Sequence, residues 1–597
     1  MDPSRRPEFR AMTQTPLTQS PPDAGLITEA PLESRSTTSP RDVTKRHILT
    51  VGLEDWFQVG AFQRLIEKDQ WYRFETRLEW TTRTTLDLLD EYNTKATFFV
   101  LGWIAERMPG LIAEVADRGH EIASRGFYHR NIRDLTREEF RDDLAKSREV
   151  LEAAAGHRVI GHRVADGWFG EDDLWTLDVL AKDGYAYDSS VLPMFRSFSR
   201  EPHRRFVPQH DAFTGPIWEV PPSTWNVLGC RVPIAGGNWF RQIPHTLLQK
   251  AVASWDREFE HPFVMYFHTW ELDPDQPRIS AVDRVNKVRH YRNLDKMRWV
   301  LEDYLSRYEF GTVADRLGLE VEPVARAEGR GLSDEGSRAV TSSANPRPSS
   351  LTSQPAAEGC SIVIPCYNEE STLPYLAKTL ERLEFELSDS WRPQFVFVDD
   401  CSSDETWATM QSIFGPKSNC KLVRHEVNSG VSAGILTGIR AADHETVASM
   451  DCDCSYDPLE LKRMLPLLSD DVDLVTASPY HPDGKVKNVP GWRLLLSKGL
   501  SQMYRCVLPT RLHTWTSCFR VYRKSAVEQL PLVENGFLGT AEMVAQLSLR
   551  GSKIIEHPAT LEVRIFGESK MKTARTIRDH LRLIAGIVRQ RLFKKRS

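Results

Sequence analysis

Two aspartates, Asp451 and Asp453, stand one residue apart directly after the apolar run 446–450. The run predicts a buried strand, so the pair is expected in a turn at the end of that strand. Two carboxylates in such a turn can hold a hard divalent cation, and that cation can neutralise a diphosphate group. A nucleotide sugar is the usual substrate with a diphosphate leaving group in this setting. The pair is a weak signal by itself and needs support from other segments.

Support comes from acidic residues after a neighbouring predicted strand. Short apolar runs between residues 361 and 425 alternate with helical patterns, which predicts a largely parallel α/β sheet. Ligands bind at the carboxyl ends of the strands in such sheets, and Asp399 and Asp400 lie at one of these ends. The carboxylates would repel one another unless a cation or a ligand rich in hydrogen-bond donors lies among them. The alternative is that Asp399 and Asp400 only cap the next helix.

Separated motifs mark the C-terminal half: SIVIPCYNEE at 361–370, VDDCSSDET at 398–406, NSG at 428–430, DCD at 451–453, TSCFRVYR at 516–523, GF at 536–537 and RIFGESK at 564–570. This half resembles an inverting glycosyltransferase of family 2 with the GT-A fold, in the dolichol-phosphate mannosyltransferase-like branch. Cys401 departs from the family, which commonly has glycine at that position.

The resemblance implies transfer of a sugar, with inversion, from a nucleotide sugar to a polyprenyl phosphate or a lipid-linked glycan. Mg²⁺ or Mn²⁺ would be held by Asp451 and Asp453. Glu542 would be the general base for a hydroxyl acceptor, whereas a lipid phosphate is already an anion and needs little such help. The alternatives are a surface ion pair for Arg520 and Arg523, and a domain that binds a nucleotide sugar without transferring it. The residues implied in substrate binding are Pro365, Asn368, Glu370, Asp399, Asp400, Asp451, Arg520, Arg564 and Lys570.

The N-terminal half also has acids and histidines after predicted strands. The apolar run 47–51 precedes Glu54 and Asp55, and the run 263–267 precedes His268. Repeated strands separated by helical patterns predict a distorted (β/α) barrel, in which functional sites form at the strand ends.

The motifs of this half are VGLEDWF at 51–57, ATFF at 96–99, GHEIAS at 119–124, DSS at 188–190, YFHTWELDP at 266–274 and HYRNL at 290–294. They resemble the NodB-homology polysaccharide deacetylases (carbohydrate esterase family 4), in the branch found beside exopolysaccharide export genes. In that family a metal activates water against an N-acetyl group. The resemblance implies Glu54 as the base, Asp55 and His129 as zinc ligands, His268 as the acid and Arg163 as the residue that orients the base.

Two departures from the deacetylase pattern concern the metal. Arg125 stands where the first metal-binding histidine is expected, and Ala165 replaces the proline of an R-x-P motif. Arginine cannot ligate a metal, and catalytic zinc normally has three protein ligands. His162 could substitute only if the strand register allowed it. One hypothesis is a bifunctional enzyme that transfers a sugar and removes acetyl groups. The other is a glycosyltransferase fused to an inactive, deacetylase-fold carbohydrate-binding module, in which Arg125 contacts an acidic sugar or a phosphate.

The chain of 597 residues is too long for one core. The sequence predicts a disordered leader at 1–44, a deacetylase-like domain at 45–319, a flexible linker at 320–358, a glycosyltransferase domain at 359–572 and a basic amphipathic helix at 573–597. The linker is rich in small and charged residues, which cannot bury enough apolar surface to offset the entropy of ordering.

Composition limits the partners and the compartment. A net charge of −5 gives no indication of a nucleic-acid partner. No run reaches the roughly 20 apolar residues of a membrane span, and no secretory signal is recognisable. Eight of the nine cysteines lie from Cys360 onward without a C-x-x-C pair, which favours reduced thiols in a cytoplasmic protein. The terminal helix predicts either peripheral contact with the inner face of the plasma membrane or packing on the domain with a solvated basic face.

Overall fold

The computed structural model describes residues 46–192, 204–206, 217–227, 230–326, 357–489, 491–567 and 573–594. The predicted leader at 1–44, most of the predicted linker and Lys570 lie outside the described residues.

The N-terminal domain is built around a largely parallel sheet. Its strands, with those of a small hairpin (β8 and β9), are β1 His47–Leu53, β2 Thr97–Val100, β3 Glu121–Ser124, β4 Gly161–His162, β5 Tyr187–Asp188, β6 Arg204–Phe206, β7 Ile217–Glu219, β8 Thr224–Val227, β9 Cys230–Pro233, β10 Val264–His268 and β11 Phe310–Gly311. The strand order is β10-β1-β2-β3-β4-β5-β7-β6, and β11 also pairs with β1. In the described residues this path does not close, as expected for a distorted barrel.

The register of this sheet determines which residues meet. Strands β10, β2 and β3 follow the same direction as β1, so their carboxyl ends share one edge. That edge receives Glu54 and Asp55 after β1, Arg125 after β3, and His268 at the end of β10. The surrounding helices are α1 Leu78–Glu91, α2 Gly102–Arg107, α3 Pro109–Asp117, α4 Arg137–Ala155, α5 Trp175–Lys182, α6 Asn238–Gln242, α7 His245–Glu258, α8 Arg284–Tyr291, α9 Met297–Arg307 and α10 Val313–Leu317.

The C-terminal domain has a second sheet, in the order β14-β13-β12-β15-β18-β16-β19. Its strands, with those of a separate small sheet (β17 and β20), are β12 Glu358–Cys366, β13 Trp391–Asp399, β14 Cys420–Arg424, β15 Thr446–Ser449, β16 Leu474–Ser478, β17 Lys485–Lys487, β18 Arg520–Arg523, β19 Ile554–Pro558 and β20 Thr560–Glu562. All neighbours in the main sheet are parallel except that β18 is antiparallel to β15 and β16. The two sheets confirm the predicted α/β class.

Apolar faces of helices cover this second sheet, as their periodicity predicts. The helices are α11 Leu373–Leu387, α12 Thr406–Phe414, α13 Val431–Ala441, α14 Leu461–Met464, α15 Gly491–Val507, α16 Lys524–Val527, α17 Phe537–Arg550 and α18 Thr573–Lys594. Helix α18 occupies the predicted terminal helix and packs through buried Ile584 and Ile587, while Ile577, Leu581 and Val588 are exposed. Among the residues that the structure describes, no helix combines the length and apolar character that crossing a bilayer requires.

Residues 320–326, which the sequence assigns to the linker, lie on the N-terminal domain. The amide of Arg158 donates to the carbonyl of Glu322 at 2.8 Å, and the amide of Val324 donates to the carbonyl of Gly156 at 2.9 Å. Arg326 forms an ion pair with Asp117 at 2.6 Å. These backbone contacts extend the domain beyond the predicted boundary at residue 319, because hydrogen bonding orders a segment whose composition alone does not.

Candidate functional sites

The first candidate site lies at the carboxyl edge of the C-terminal sheet. Strands β12, β13 and β15 run parallel to one another, so Asp399 and Asp451 reach the same edge. Asp399 is fully buried, and Arg424 Nε lies 3.0 Å from its Oδ2 atom. Arg424 was not predicted from the sequence, although the parallel register directly pairs it with Asp399. This ion pair leaves a partly exposed guanidinium beside the end of β13.

The carboxylate of Asp400 binds the backbone of the NSG segment at residues 428–430. It accepts hydrogen bonds from the amides of Ser429 and Gly430, both at 2.7 Å, and contacts His425 Nδ1 at 2.8 Å. Gly430 has a φ of 93°, a conformation that glycine adopts at little cost. Asp400 therefore fixes a turn rather than extending into open space.

The two carboxylates of the D-x-D pair influence each other electrostatically. Burial, and after it the charge of Asp453, raise the pKa of Asp451 to about 7. Asp453 accepts hydrogen bonds from Ser455 through Oδ1, and its Oδ2 atom lies 2.6 Å from Arg564 Nη2. Arg564 also lies 3.7 Å from Glu369, a residue that sequence analysis did not select. A guanidinium from a distant segment thus compensates two crowded carboxylates.

This donor set fits Mg²⁺ or Mn²⁺. Hard cations in phosphate-binding sites commonly take one or two carboxylates from the protein and complete their coordination with water and substrate phosphates. In the described residues, no group of three or more His, Cys, Asp or Glu side chains has an arrangement that could hold a metal by itself. A bound diphosphate and water would therefore have to supply the remaining oxygen ligands.

The loops around this edge brace one another. Asn368 has a φ of 51°. Its side-chain Oδ1 accepts a hydrogen bond from the backbone amide of Ser403 at 2.8 Å, and its backbone amide donates to Ser402 Oγ at 2.9 Å. Glu370 accepts from the amide of Glu405 at 3.4 Å. Pro365 lies on β12, against helix α13 at Gly434. These predicted residues shape the site through loop geometry.

Arg520 and Glu542 are buried and bond to the backbone. Arg520 donates to the carbonyls of Thr540 and Trp515 at 2.8 and 2.9 Å, so it is not a surface ion pair. The carboxylate of Glu542 accepts the amides of Val533 and Glu534. Both side chains thereby hold loops in place.

The second candidate site lies at the carboxyl edge of the N-terminal sheet, in a cavity of about 440 Å³ that Trp168, Tyr266 and Trp270 help to line. Glu54 is buried at its floor, with His268 Nδ1 at 2.8 Å, His129 Nε2 at 3.4 Å and Arg125 Nη2 at 3.5 Å. Burial alone would raise the pKa of Glu54. The charges of Arg125 and His268, together with hydrogen bonds from His129 and His268, outweigh burial and hold the pKa of Glu54 well below its usual value.

Both predicted zinc ligands are held by hydrogen bonds to neighbouring groups, and His129 also faces Glu54 through Nε2. Asp55 accepts a hydrogen bond from Thr76 Oγ1 at 2.5 Å and one from the amide of Trp56 at 3.0 Å, and burial raises its pKa to about 6. His129 Nδ1 lies 2.6 Å from Gln63 Nε2. In the part of the chain that the structure describes, no metal-binding group of three side chains exists here either. The donor set does not fit catalytic zinc, which normally needs three protein ligands.

The remaining predicted residues of this domain are buried and make contacts with neighbouring strands and loops. Arg163 donates to Ser189 Oγ at 2.7 Å and to Thr50 Oγ1 at 3.1 Å, so its guanidinium braces strands instead of Glu54. His162 pairs with Asp188 at 2.7 Å and does not replace the missing metal ligand. Arg125 fills that place with its own contacts, including one to the carbonyl of Ala165 at 2.9 Å.

Family models match segments in both halves of the chain. The family model for glycosyl transferase family 2 matches residues 361–531, the polysaccharide deacetylase model matches 67–187, and a domain of unknown function (DUF3473) matches 189–317. An undecaprenyl-phosphate mannosyltransferase from Micrococcus luteus is 30% identical over 217 residues, which are 35% of this chain and 86% of the relative. The chain therefore belongs to glycosyl transferase family 2. Its N-terminal half contains a segment that matches the polysaccharide deacetylase family.

Other relatives match in part. A dolichol-phosphate mannosyltransferase from Pyrococcus furiosus is 32% identical over 232 residues, and the match spans 38% of this chain and 62% of the relative's length. Among solved structures, a glucosyl-3-phosphoglycerate synthase from Mycobacterium tuberculosis, in complex with phosphoglyceric acid, is similar with a TM-score of 0.31, 18% identity and coverage of 39% of this chain and 81% of that one. A peptidoglycan N-acetylglucosamine deacetylase is similar with a TM-score of 0.27, 17% identity and coverage of 47% and 91%.

Proposed function

We propose that the C-terminal domain transfers a sugar from a nucleotide sugar to a polyprenyl phosphate, with Asp451 and Asp453 as ligands of Mg²⁺ or Mn²⁺. The carrying observation is the 2.6 Å contact between Asp453 and Arg564, which brings a carboxylate pair and a guanidinium together at one sheet edge. The names of two relatives, a dolichol-phosphate and an undecaprenyl-phosphate mannosyltransferase, support the acceptor class. A bound cation would supply neutralisation of the leaving diphosphate.

The chain's own residues suit a single displacement. An oxygen of the acceptor phosphate attacks the anomeric carbon, the bond from that carbon to the diphosphate oxygen breaks, and the nucleoside diphosphate leaves, so the anomeric centre inverts. Arg564 would exchange its contact with Asp453 for the diphosphate oxygens, and Lys570 is proposed as a second cation. Asp399 would accept hydrogen bonds from the nucleoside.

The environment of Glu542 favours a phosphate acceptor over a hydroxyl acceptor. Its carboxylate oxygens accept the amides of Val533 and Glu534, and these hydrogen bonds hold the side chain on the backbone. A lipid phosphate is an anion before it reacts and needs little help from a base. We accordingly propose Glu542 as a base only if the acceptor is a lipid-linked glycan.

The surface of helix α18 supports a proposal that the enzyme acts at a membrane surface. Its exposed Ile577, Leu581 and Val588 lie among arginines, a pattern typical of helices that lie on anionic bilayers. The eight cysteines from Cys360 onward are unpaired, in keeping with a reducing compartment. We propose peripheral contact with the inner face of the plasma membrane, which would give access to a polyprenyl phosphate.

The transfer activity is tested by incubating the full chain with UDP- and GDP-sugars, Mg²⁺ or Mn²⁺, and short polyprenyl phosphates. We expect a glycolipid product and free nucleoside diphosphate from one donor. The matched control is Asp453→Asn, which keeps the side-chain size and should lose the product. No binding of any nucleotide sugar in the presence of either cation would contradict the proposal.

For the N-terminal domain we propose carbohydrate binding without metal-dependent hydrolysis. The ion pair between Arg125 and Glu54 supports this choice over the bifunctional alternative, because Arg125 takes the place of a ligand and engages the proposed base. Aromatic side chains in the cavity wall suit sugar faces. Metal analysis of the full chain and acetate release from chitooligosaccharides test it, with Arg125→His as the matched variant. Stoichiometric zinc and turnover in the unmodified protein would favour the bifunctional enzyme instead.

A further inference from the structure

The segment that carries Arg564 is held from the other domain. The amide of Ser280, in the N-terminal domain, donates to the carbonyl of Ile565 at 2.8 Å. Ile565 and Phe566 are buried, with 7% and 4% of their surfaces exposed. Arg564, whose guanidinium contacts Asp453, therefore directly precedes a backbone segment that is held by the N-terminal domain.

A cluster of aromatic side chains from both domains also holds this segment. The ring centroid of Phe566 lies 6.2 Å from that of Phe74 and 6.4 Å from that of Trp56, both in the N-terminal domain. It lies 5.6 Å from the ring centroid of Tyr375 in its own domain. Phe74 also meets Tyr375 edge-on at 5.1 Å. Aromatic pairs at these distances contribute beyond their buried area and fix the ring orientations.

A second contact reaches the loop after the D-x-D pair. Arg73 is buried, pairs with Asp457 at 2.8 Å and donates to Tyr375 Oη at 3.4 Å. Asp457 caps the short helix that begins at Pro458, so its carboxylate is already oriented. Arg73 thereby ties the N-terminal domain to the segment that starts at Asp453.

We propose that the N-terminal domain completes the sugar-transfer site, with Arg73 and Phe74 as positioning residues for Asp453 and Arg564. The inference rests on the proposed transfer function and extends the site to residues of the N-terminal domain. Its physical basis is that misplacement of a charged group by about 1 Å can cost on the order of a hundredfold in rate. Phe74 and Arg73 act through Phe566 and Asp457 and need not touch the substrate.

The experiment uses the full chain with Phe74→Ala and with Phe74→Leu, which keeps an apolar side chain. Hydrogen exchange of the peptide that contains residues 564–567 is measured first, without ligand, and does not depend on activity. We expect Phe74→Ala to speed exchange of this peptide at least about tenfold, as local opening becomes easier. Phe74→Leu should restore part of the protection. Unchanged protection in Phe74→Ala would overturn the inference, whatever the protein transfers.

Steady-state kinetics then distinguish a loss of positioning in the transfer site from a general loss of stability. With the donor identified, Phe74→Ala should lower kcat on the order of tenfold to a hundredfold. The matched control is Phe140→Ala, a buried phenylalanine of the same domain that packs on His162 and Trp175. This control should lose stability while keeping kcat. Equal losses of kcat in both variants would refute a positioning role.

A double-mutant cycle tests the polar contact. Arg73→Gln and Asp457→Asn should each reduce donor affinity, and the double variant should be no worse than the more impaired single variant. Additive losses would show that the two side chains act independently and would contradict the proposed coupling. A failure of transfer in the unmodified chain, with normal exchange protection that depends on Phe74, would count against the proposed function and not against this inference.

Discussion

The ion pair between Arg125 and Glu54 makes a quantitative prediction about Arg125→Met. Both side chains are buried, and Arg125 is the main positive charge that lowers the pKa of Glu54. Removal of one partner from a buried pair typically costs about 3–5 kcal/mol, and His268 at 2.8 Å should keep the loss near the lower value. For a domain of this size that corresponds to a decrease of at least roughly 6 °C in Tm.

The assay is thermal unfolding of the full chain at several pH values, with Glu54→Gln and the double variant as controls. A depressed carboxyl pKa gives stability that is present above the usual carboxyl pKa and is lost as the pH falls through the lowered value. Arg125→Met removes much of that contribution, so its deficit should be large at pH 7 and should shrink as the pH falls below the usual carboxyl range toward the lowered pKa of Glu54 in the unmodified protein.

The double variant, Glu54→Gln with Arg125→Met, should be closer to the unmodified protein than Arg125→Met alone, because no uncompensated charge remains. Added zinc should leave the Tm of the unmodified protein unchanged. A full-sized deficit that persists in the double variant, or a zinc-dependent gain in the unmodified protein, would refute the view that an ion pair has replaced the metal.

Three further predictions concern the C-terminal domain. Asp453→Asn should weaken Mn²⁺-dependent binding of the nucleotide sugar at least about tenfold in calorimetry, since the variant would lack one of the two anionic ligands proposed for the cation. Glu542→Gln should lower the unfolding free energy by about 1–3 kcal/mol and leave the pH profile of kcat unchanged, because its contacts are with backbone amides. His580 is buried on Tyr504, and burial lowers its pKa to about 4. The unfolded chain therefore binds a proton near pH 6.5 before the folded one does, so stability should fall by about 2 kcal/mol from pH 7 to pH 5, and His580→Gln should flatten this dependence in denaturant titrations.

Much of the candidate site architecture was predictable because it follows from local patterns. Buried strands that end in Asp399 and Asp451 were recognisable as apolar runs followed by acids, and parallel connectivity then requires those ends to meet. The same reasoning brought Glu54 and His268 to one edge of the other sheet. These expectations depend only on strand direction, which the alternation of strands and helices determines.

The roles of individual charged side chains were less predictable. Arg520 and Glu542 belong to motifs that suggest substrate contacts, yet in the structure they bond to backbone groups. Whether a buried charge faces a cavity or a carbonyl depends on rotamers and loop positions, which no local pattern encodes. Arg424 and Glu369 were missed for the same reason, although register pairs Arg424 with Asp399.

The sequence by itself determined that the chain joins a deacetylase-like domain to a family 2 glycosyltransferase, and it exposed Arg125 as the departure that matters for zinc. Only the tertiary structure decided that Arg125 pairs with Glu54, and that Arg73 and Phe74 contact Asp457 and Phe566 of the other domain. The physical reason is the sequence separation of the interacting residues. Periodicity and motifs report interactions between residues close in sequence, whereas ion pairs and aromatic contacts between domains depend on how two finished surfaces dock.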